Sequence, residues 1–530
     1  APPLRNLPKQ TTRTGTGRWN PRAGALNPRR AHSVNLMASP HCFWRYLVVP
    51  LSEADTKQKG GGGVLSKKLE VTCVIVFLWI GLAYAWASTD VTRFPDSTGY
   101  VPSEGFPLSF LGDSLRSWLT PLVYTLISTD QTRVVFQFFL YGLAWTLLLV
   151  LLSTSATTFK RRFSSLLALS AALSPVFFVW NAAILSEAIT LACIVTGSLL
   201  ALVLLRSDPS IKQIDTLKAL AAVFGLFLVF AASMERPSLF PIALAVLIIV
   251  LIAFLDRGWK KSCIATALVL SCFGAYSVIL NYNIDRNWGI SRGATFYLYL
   301  SATESRSQAV LADPLFEHVS QQGPECLSLI RASWDPKKGS DPFQTRHLLR
   351  DECPEGADWL RDNFFPQTYM RYVVTHPHYT SRYLLTYLPD VASPYWPSRA
   401  ATLLPSSAVS LHQDVDTTTT FKFSPAFAWY ALALMAWVVV LSSATQSFLR
   451  TRGLAHIRGD VLWLIALIPP SILATALSIL PLTNDHARLA APAYAMTTIT
   501  VIVFLGHATV THRRVKKSKA NGRARDLDGT

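Results

Sequence analysis

SLFPIALAVLIIVLIAFL, residues 238–255, contains no charged residue in eighteen positions. An α-helix of this length is about 27 Å long, close to the hydrocarbon thickness of a bilayer. Across the whole chain hydrophobic residues make up 51% and charged residues 15%, whereas an ordinary globular protein has about 25% charged residues. The sequence therefore predicts an all-α polytopic membrane protein. We expect about ten transmembrane helices, at residues 70–88, 133–153, 164–180, 187–205, 217–234, 238–255, 262–281, 425–446, 461–480 and 490–508.

The distribution of Lys and Arg predicts the orientation of these spans. If the N-terminus is cytoplasmic, the inner segments hold 31 Lys/Arg and 9 Asp/Glu, and the outer segments hold 18 and 23. Basic residues resist translocation, so both termini are expected in the cytoplasm, with the protein in the plasma (bacterial inner) membrane. The net charge of +17 is then a topology signal, with attraction to anionic membrane lipids, and we expect no nucleic-acid partner.

The spans divide the chain into five expected regions. Residues 1–66 are basic and expected to be disordered; 67–281 form a module of seven spans with an interfacial first outer loop, 89–132; 282–424 form an extracytoplasmic insertion of mixed or mostly helical structure; 425–510 hold three C-terminal spans; and 511–530 form a basic cytoplasmic tail. Met37 is a candidate translation start, and residues 1–36 are assigned no function. Cys326 and Cys353 both lie in the insertion, and the sequence leaves open whether they form a disulfide.

Charged residues cluster at the predicted outer ends of the spans. Charge near bilayer depth is costly and is by default paired or functional, although the alternative for each residue is a solvated loop position. For Glu187, at the start of a span, a favourable interaction with the helix dipole is a second structural explanation. The residues are Asp90, Arg93, Asp96, Arg116, Glu187, Glu235, Arg236, Asp485, His486 and Arg488.

Carboxylates and guanidiniums in one outward-facing pocket suit a lipid-phosphate substrate. The guanidiniums would hold a phosphate that becomes the leaving group, because Arg binds phosphate in a bidentate manner. A carboxylate would remove a proton from an attacking hydroxyl. No metal cofactor is required if arginine carries the phosphate charge, although the sequence leaves a divalent cation open.

Three short motifs and the topology resemble the GT-C superfamily of polytopic glycosyltransferases, in the branch with a conserved seven-span module. Asp96 follows the first span in the context Pro95-Asp96-Ser97-Thr98-Gly99-Tyr100, as the catalytic Asp of the family does. Ser114-Leu115-Arg116 followed by Pro121 resembles the Arg and Pro of the family's first-loop helices, and Arg488 with Pro492 resembles its late Arg-to-Pro pattern. The large insertion also falls between spans seven and eight.

The resemblance implies an inverting transfer from a polyprenyl-phosphate-sugar donor to a lipid, glycan or protein acceptor. Asp96 would act as general base, and Asp90 is the candidate for the second acidic residue that some members have. Arg116, Arg236 and Arg488 would bind the donor phosphate. The expected acceptor or pocket residues are Tyr100, Glu187, Asp485 and His486.

Two other classes of membrane protein remain as alternatives. An O-antigen-type polymerase or ligase also has a large outer loop with Arg and His, and His376-Pro377-His378 could serve it. Such proteins need no Asp after the first span, however, and usually place the large loop later. A transporter or flippase is the third class, disfavoured because the spans are nearly free of polar residues in their middle and show no internal repeat.

Overall fold

The structure is a computed structural model that describes most of the membrane module and short pieces of the insertion. The described residues are 62–89, 91–93, 97, 100–101, 119–154, 157–206, 216–256, 266–267, 270–271, 274–275, 321, 323–328, 353–359, 374–391, 425–451, 459–480 and 486–507.

These residues are almost entirely helical. The α-helices are α1 (Gly62–Ala87), α2 (Leu119–Leu126), α3 (Asp130–Leu152), α4 (Thr158–Ala172), α5 (Pro175–Phe178), α6 (Glu187–Arg206), α7 (Thr216–Glu235), α8 (Phe240–Asp256), α9 (Pro354–Trp359), α10 (Pro377–Val391), α11 (Pro425–Thr451), α12 (Gly459–Ile479) and α13 (His486–His507). Single 3₁₀ turns at Val179–Ala182 and Pro237–Leu239 follow α5 and α7.

Eight of the described helices are long and apolar enough to cross a membrane: α1, α3, α6, α7, α8, α11, α12 and α13. A ninth candidate is formed by α4 and the α5 segment to Ala182, which meet at a bend of 49°. The bend falls within the span expected at 164–180, and it arises because Pro175 has no N–H and its ring disfavours a continuous helix. The span expected at 262–281 lies largely outside the described residues, so the count of ten stays a prediction.

The N-terminal boundary of the membrane module differs from the expectation. α1 begins at Gly62, inside the segment 1–66 that the composition predicts to be disordered. Once a helix has formed, each further residue adds a hydrogen bond at little cost, so the apolar span extends into the glycine-rich stretch. Residues 1–61 and the tail 511–530 lie outside the described part.

The outer surface of the bundle is apolar. Large side chains such as Phe77, Leu220, Ile248 and Val438 are exposed on their helices. Contiguous exposed apolar surface marks an interaction site or a lipid-facing surface. The pattern matches helices that present hydrophobic side chains to lipid.

Charged side chains hold the helices together at both ends of the bundle. The end that contains Arg206 is named here the Arg206 end. Arg206 closes α6 and donates to Asp460 Oδ1 of α12 (2.5 Å), to the carbonyl of Leu151 (3.0 Å) and to Thr154 Oγ1 (3.1 Å). Asp460 is buried, and the side chain of Arg206 is 9% exposed. Such an ion pair is costly to break because it leaves an uncompensated charge, so this contact fixes the ends of α3 and α6 relative to the start of α12.

At the same Arg206 end, further ion pairs join the first part of α1 to the start of α4. Glu70 accepts from Arg161 and from Arg162, each at 2.9 Å. Arg161 is buried, whereas Arg162 is largely exposed. Arg161, Arg162 and Arg206 lie between expected spans on the side that the charge distribution predicts to be cytoplasmic, whereas Glu187, Arg236 and Arg488 lie at predicted outer ends. The latter three meet at the opposite end of the bundle, named here the Glu187 end.

α6 and α7 approach each other at two glycines. A Cβ atom on Gly197 would lie 2.3 Å from the carbonyl oxygen of Gly225, and a Cβ on Gly225 would lie 2.8 Å from that of Gly197. Such distances are shorter than any real contact, so only glycine fits at either position. Small residues are typical of transmembrane helix interfaces because they let backbones pack closely.

Two described pieces of the insertion 282–424 bear on its organisation. A disulfide joins Cys326 to Cys353, with their Cα atoms 5.6 Å apart, which answers the question that the sequence left open. Later in the insertion, α10 packs against α11, α12 and α13.

The glycine contact generates a stability prediction. In Gly225→Ala the new methyl group would clash with the Gly197 carbonyl and with Leu200 Cβ, 2.9 Å away. We expect a loss of about 1–3 kcal/mol of unfolding free energy, as for other overpacked interiors, measured by thermal or denaturant unfolding in detergent. Phe224→Leu is the matched control, because Phe224 is 56% exposed on the same helix and its substitution leaves the interface unchanged. Equal stability of the two variants would contradict the close packing.

Candidate functional site

The site is built around Glu187, the first residue of α6. The chain reaches it through a short segment that the first outer loop clamps: the N–H of Thr92 donates to the carbonyl of Ala182, and the N–H of Ile184 donates to the carbonyl of Thr92, both at 3.0 Å. α6 then begins, with the N–H of Thr190 bonded to the carbonyl of Ser186 (2.9 Å). A carboxylate in the first turn is favoured by the helix dipole. Glu187 is only 1% exposed, so its charge needs compensation from the protein.

Two arginines from different parts of the chain supply that compensation. Arg236 follows the last residue of α7, and its Nη2 donates to Glu187 Oε1. Arg488 lies in the first turn of α13, with its Nε 3.2 Å from the same oxygen. Arg236 is 3% and Arg488 6% exposed. One carboxylate oxygen therefore holds two guanidiniums, and it ties together α6, α7 and α13.

The second carboxylate oxygen of Glu187 has a different environment. Oε2 is buried, and no described residue donates a hydrogen bond to it. A buried acceptor without a donor costs about 1–3 kcal/mol. The carboxylate is thus half satisfied by the described residues.

Glu235, beside Arg236 in the sequence, positions the short helix α2. Its Oε1 accepts a hydrogen bond from the N–H of Thr120 (2.8 Å). Thr120 is the second residue of α2, where backbone N–H groups have no partner within the helix. Glu235 therefore caps α2 and fixes it to the end of α7.

Tyr124 fixes the other end of α2 next to the site. Its hydroxyl donates to the carbonyl of Leu185 (2.7 Å) and accepts from Gln137 Nε2 (3.0 Å). Arg133 donates to the Tyr124 carbonyl from Nη2 (2.8 Å), and its guanidinium lies 5.4 Å from the centre of the Tyr124 ring. Burial, and after it the charge of Glu187, raises the pKa of Tyr124 well above its ordinary value, so the hydroxyl remains a donor at neutral pH.

The motif after the first span reaches the same place. Ser97 and Tyr100 are buried, and the N–H of Tyr100 donates to the carbonyl of Ser97 (3.1 Å) in a turn. The hydroxyls of Tyr100 and Ser186 lie 3.2 Å apart and share a hydrogen bond. Ser186 directly precedes Glu187, so Tyr100 contacts the residue adjacent to the ion-paired carboxylate.

The structure brings together some of the expected site residues and leaves others undescribed. Glu187, Arg236 and Arg488 meet, and Tyr100 lies beside them. Asp90, Asp96, Arg116, Asp485 and the side chain of His486 lie outside the described residues, so their assigned roles stay predictions. His376 and His378, at the start of α10, are exposed.

The sequence did not predict the contacts of Tyr124. A tyrosine that bonds a backbone carbonyl leaves no spacing or charge signal, and Gln137 reads as one polar residue in an apolar helix. Asp130 pairs with Arg93 and, at 2.6 Å, with Arg133. It therefore supports the Tyr124 contact through Arg133. No group of three or more His, Cys, Asp or Glu side chains suited to a metal ion occurs among the described residues.

Comparison of the chain with protein-family models, with curated proteins and with solved structures finds no match in any of the three.

The Tyr124 contacts predict a stability loss on removal of one atom. In Tyr124→Phe the Leu185 carbonyl and the Gln137 amide would each lose a partner in a buried place. We expect a loss of about 1–3 kcal/mol, measured by thermal unfolding in detergent. Tyr84→Phe serves as the control, since Tyr84 is 75% exposed on α1. Unchanged stability of Tyr124→Phe would mean that α2 is held by other contacts.

Proposed function

We propose that the protein is an integral-membrane glycosyltransferase of the GT-C type. It moves a sugar from a polyprenyl-phosphate donor to a lipid, glycan or protein acceptor at the outer face of the membrane. The observation that carries the proposal is the meeting of Arg236 and Arg488 at Glu187, beside the turn formed by Ser97 and Tyr100. Ionisable residues buried in an apolar bundle are functional candidates by default.

The two arginines are the proposed binding groups for the donor phosphate. Guanidinium is planar, permanently charged and able to donate two parallel hydrogen bonds to phosphate oxygens. Because Arg236 and Arg488 come from different helices, they approach one oxyanion from two directions. Arg116 is a further candidate, since it precedes by three residues the helix α2 that Glu235 holds at the site.

Asp96 is the proposed general base, with Asp90 as the second acidic candidate. Asp96 directly precedes Ser97, and the turn at Ser97 and Tyr100 lies against Ser186. In the proposed reaction the acceptor oxygen attacks the anomeric carbon while Asp96 takes its proton. The bond from that carbon to the phosphate oxygen breaks, and the polyprenyl phosphate leaves with the electron pair. The arginines stabilise the charge of the leaving phosphate. The sugar configuration is inverted, and the proposal requires no cofactor.

The charge distribution and the disulfide support the orientation. The Arg206 end carries Arg161, Arg162 and Arg206, and basic residues favour the cytoplasmic side. The Glu187 end would then face outward. A disulfide between Cys326 and Cys353 fits an insertion in an oxidising compartment. Both features fit a bacterial inner membrane with the site on its outer side.

An O-antigen-type polymerase or ligase is the second candidate. The observation in its favour is that α10, which begins with Pro377 and His378, packs against the helix that carries Arg488. The glycosyltransferase is better supported because Glu187, Arg236 and Arg488 are buried, whereas His376 and His378 are exposed. A transporter is less favoured, since the described charged side chains of the spans lie at helix ends.

The assignment of the base predicts the behaviour of Asp96→Asn. This variant should lose transfer by at least a hundredfold in liposomes supplied with polyprenyl-phosphate sugars, because an amide cannot take the proton, and general-base contributions are about 10²–10⁴-fold. Donor binding and expression should be retained. His376→Ala/His378→Ala should keep transfer. The reverse result, with an active Asp96→Asn and an inactive histidine double variant, would favour the polymerase or ligase.

The assignment of the phosphate site predicts a KM effect in Arg488→Lys. Lysine keeps the charge but loses the planar fork, so we expect the donor KM to rise about tenfold, equivalent to about 1.4 kcal/mol of binding. Arg206→Lys is the matched control, because Arg206 also pairs with a buried carboxylate, at the opposite end of the bundle. An equal KM increase in both variants would indicate a general structural defect instead of a phosphate contact.

A further inference from the structure

The arrangement around Glu187 is that of an oxyanion site with an oxyanion already in it. Arg236 and Arg488 both form an ion pair with Oε1 of Glu187. A carboxylate that only joined helices could present a separate oxygen to each arginine. Two guanidiniums around a single oxygen is a geometry that also suits one oxygen of a phosphate. The ligand-free protein therefore fills this position with its own side chain.

The second observation is the state of Oε2. This oxygen is buried, and no described residue donates to it. Glu187 thus makes less of its hydrogen-bonding capacity than a phosphate would at the same place. The carboxylate satisfies the arginines only partly and is itself incompletely satisfied.

The charges of the site lead to the same conclusion. Among its described members, Glu187 and Glu235 balance Arg236 and Arg488. Glu235 is committed to the N–H of Thr120, so it stays with α2. A phosphate that entered this neutral group would be repelled by Glu187, whereas withdrawal of Glu187 would leave the group with a net positive charge that attracts it.

We infer that Glu187 is a displaceable occupant of a phosphate site. Its carboxylate holds Arg236 and Arg488 in place while the site is empty, and it rotates away when a ligand phosphate takes its position. The backbone of Glu187 stays fixed, because the N–H of Thr190 bonds the carbonyl of Ser186 at the start of α6. The inference rests on the proposed function only for the identity of the ligand, a lipid-borne phosphate; the shared chemistry is a phosphate oxyanion.

The test compares Glu187→Ala with the wild type in detergent, by thermal unfolding with and without phosphate. Removal of Glu187 takes a buried carboxylate partner away from two arginines, which is destabilising, so the variant should melt at a lower temperature. Added phosphate should then bind the vacated position. We expect an apparent affinity for phosphate at least tenfold above that of the wild type, read from the rise of the melting temperature with phosphate concentration. Chloride at equal ionic strength controls for screening.

Asp460→Ala is the matched control. It removes the buried carboxylate partner of an arginine, Arg206, at the other end of the bundle. The inference predicts that phosphate stabilises Glu187→Ala more than Asp460→Ala. Equal rescue of the two variants, or none of either, would overturn it, because Glu187 would then be a structural ion-pair partner only.

Two further experiments distinguish a lipid-borne phosphate from a soluble one and cover the case in which Glu187→Ala does not fold. Farnesyl phosphate, a short prenyl phosphate, should stabilise Glu187→Ala at lower concentration than inorganic phosphate if the ligand is lipid-borne; equal potency would indicate a small soluble anion. If Glu187→Ala does not fold, Glu187→Gln keeps the size of the side chain but removes its charge. It should also bind phosphate more tightly than the wild type, and unchanged affinity there would overturn the inference.

The outcomes distinguish this inference from the proposed function. Enhanced phosphate binding by Glu187→Ala, without any glycosyl transfer by the wild type, would reject the glycosyltransferase and retain the occupant role. Transfer that is lost in Asp96→Asn, without enhanced phosphate binding by Glu187→Ala, would reject only the occupant role.

Discussion

The contact between Glu187 and its two arginines is the constraint on which the described bundle depends at one end. In a medium of low dielectric constant a charge that loses its partner is strongly destabilising, and all three side chains are buried. The start of α6, the end of α7 and the start of α13 must therefore meet at one level. The clamp of Thr92 on Ala182 and Ile184 and the cap of Glu235 on α2 then attach the described parts of the first outer loop to the same place.

The opposite end follows the same physical rule with a different result. Arg206 also pairs with a buried carboxylate, but its other nitrogen donates to the Leu151 carbonyl and to Thr154. That cation is thereby surrounded by acceptors from the protein. At the Glu187 end, in contrast, one carboxylate oxygen is left without a donor among the described residues. Arg206 thus has three acceptors from the protein, whereas Glu187, the group that we assign to the ligand site, keeps one oxygen without a described donor.

The sequence was sufficient to predict the features that depend on composition along the chain. Long uncharged runs located the spans, because a bilayer accepts few other segments, and the cost of charge at span ends led to Glu187, Arg236 and Arg488. The bend at Pro175 was missed because the hydrophobic run continues through it, and the start of α1 at Gly62 was missed because glycine and charged residues there give no apolar signal. The Tyr124 network was also missed, because hydrogen bonds to backbone carbonyls depend on where helices cross. The base assigned to Asp96, the second acid Asp90 and the contributions of Arg116, Asp485 and His486 remain expectations from sequence.

The glycine contact between α6 and α7 has a consequence for how the site can respond. Glu187 and Arg236 lie on two helices whose backbones touch at Gly197 and Gly225, so neither can slide past the other without a clash. Arg488 is carried by α13, which packs against α6 but makes no glycine contact of this kind among the described residues. The three side chains thus combine two that are tied by a backbone contact and one that is held by side-chain packing. The distance between α7 and α13 would therefore show whether the position between the arginines holds the Glu187 side chain or a ligand.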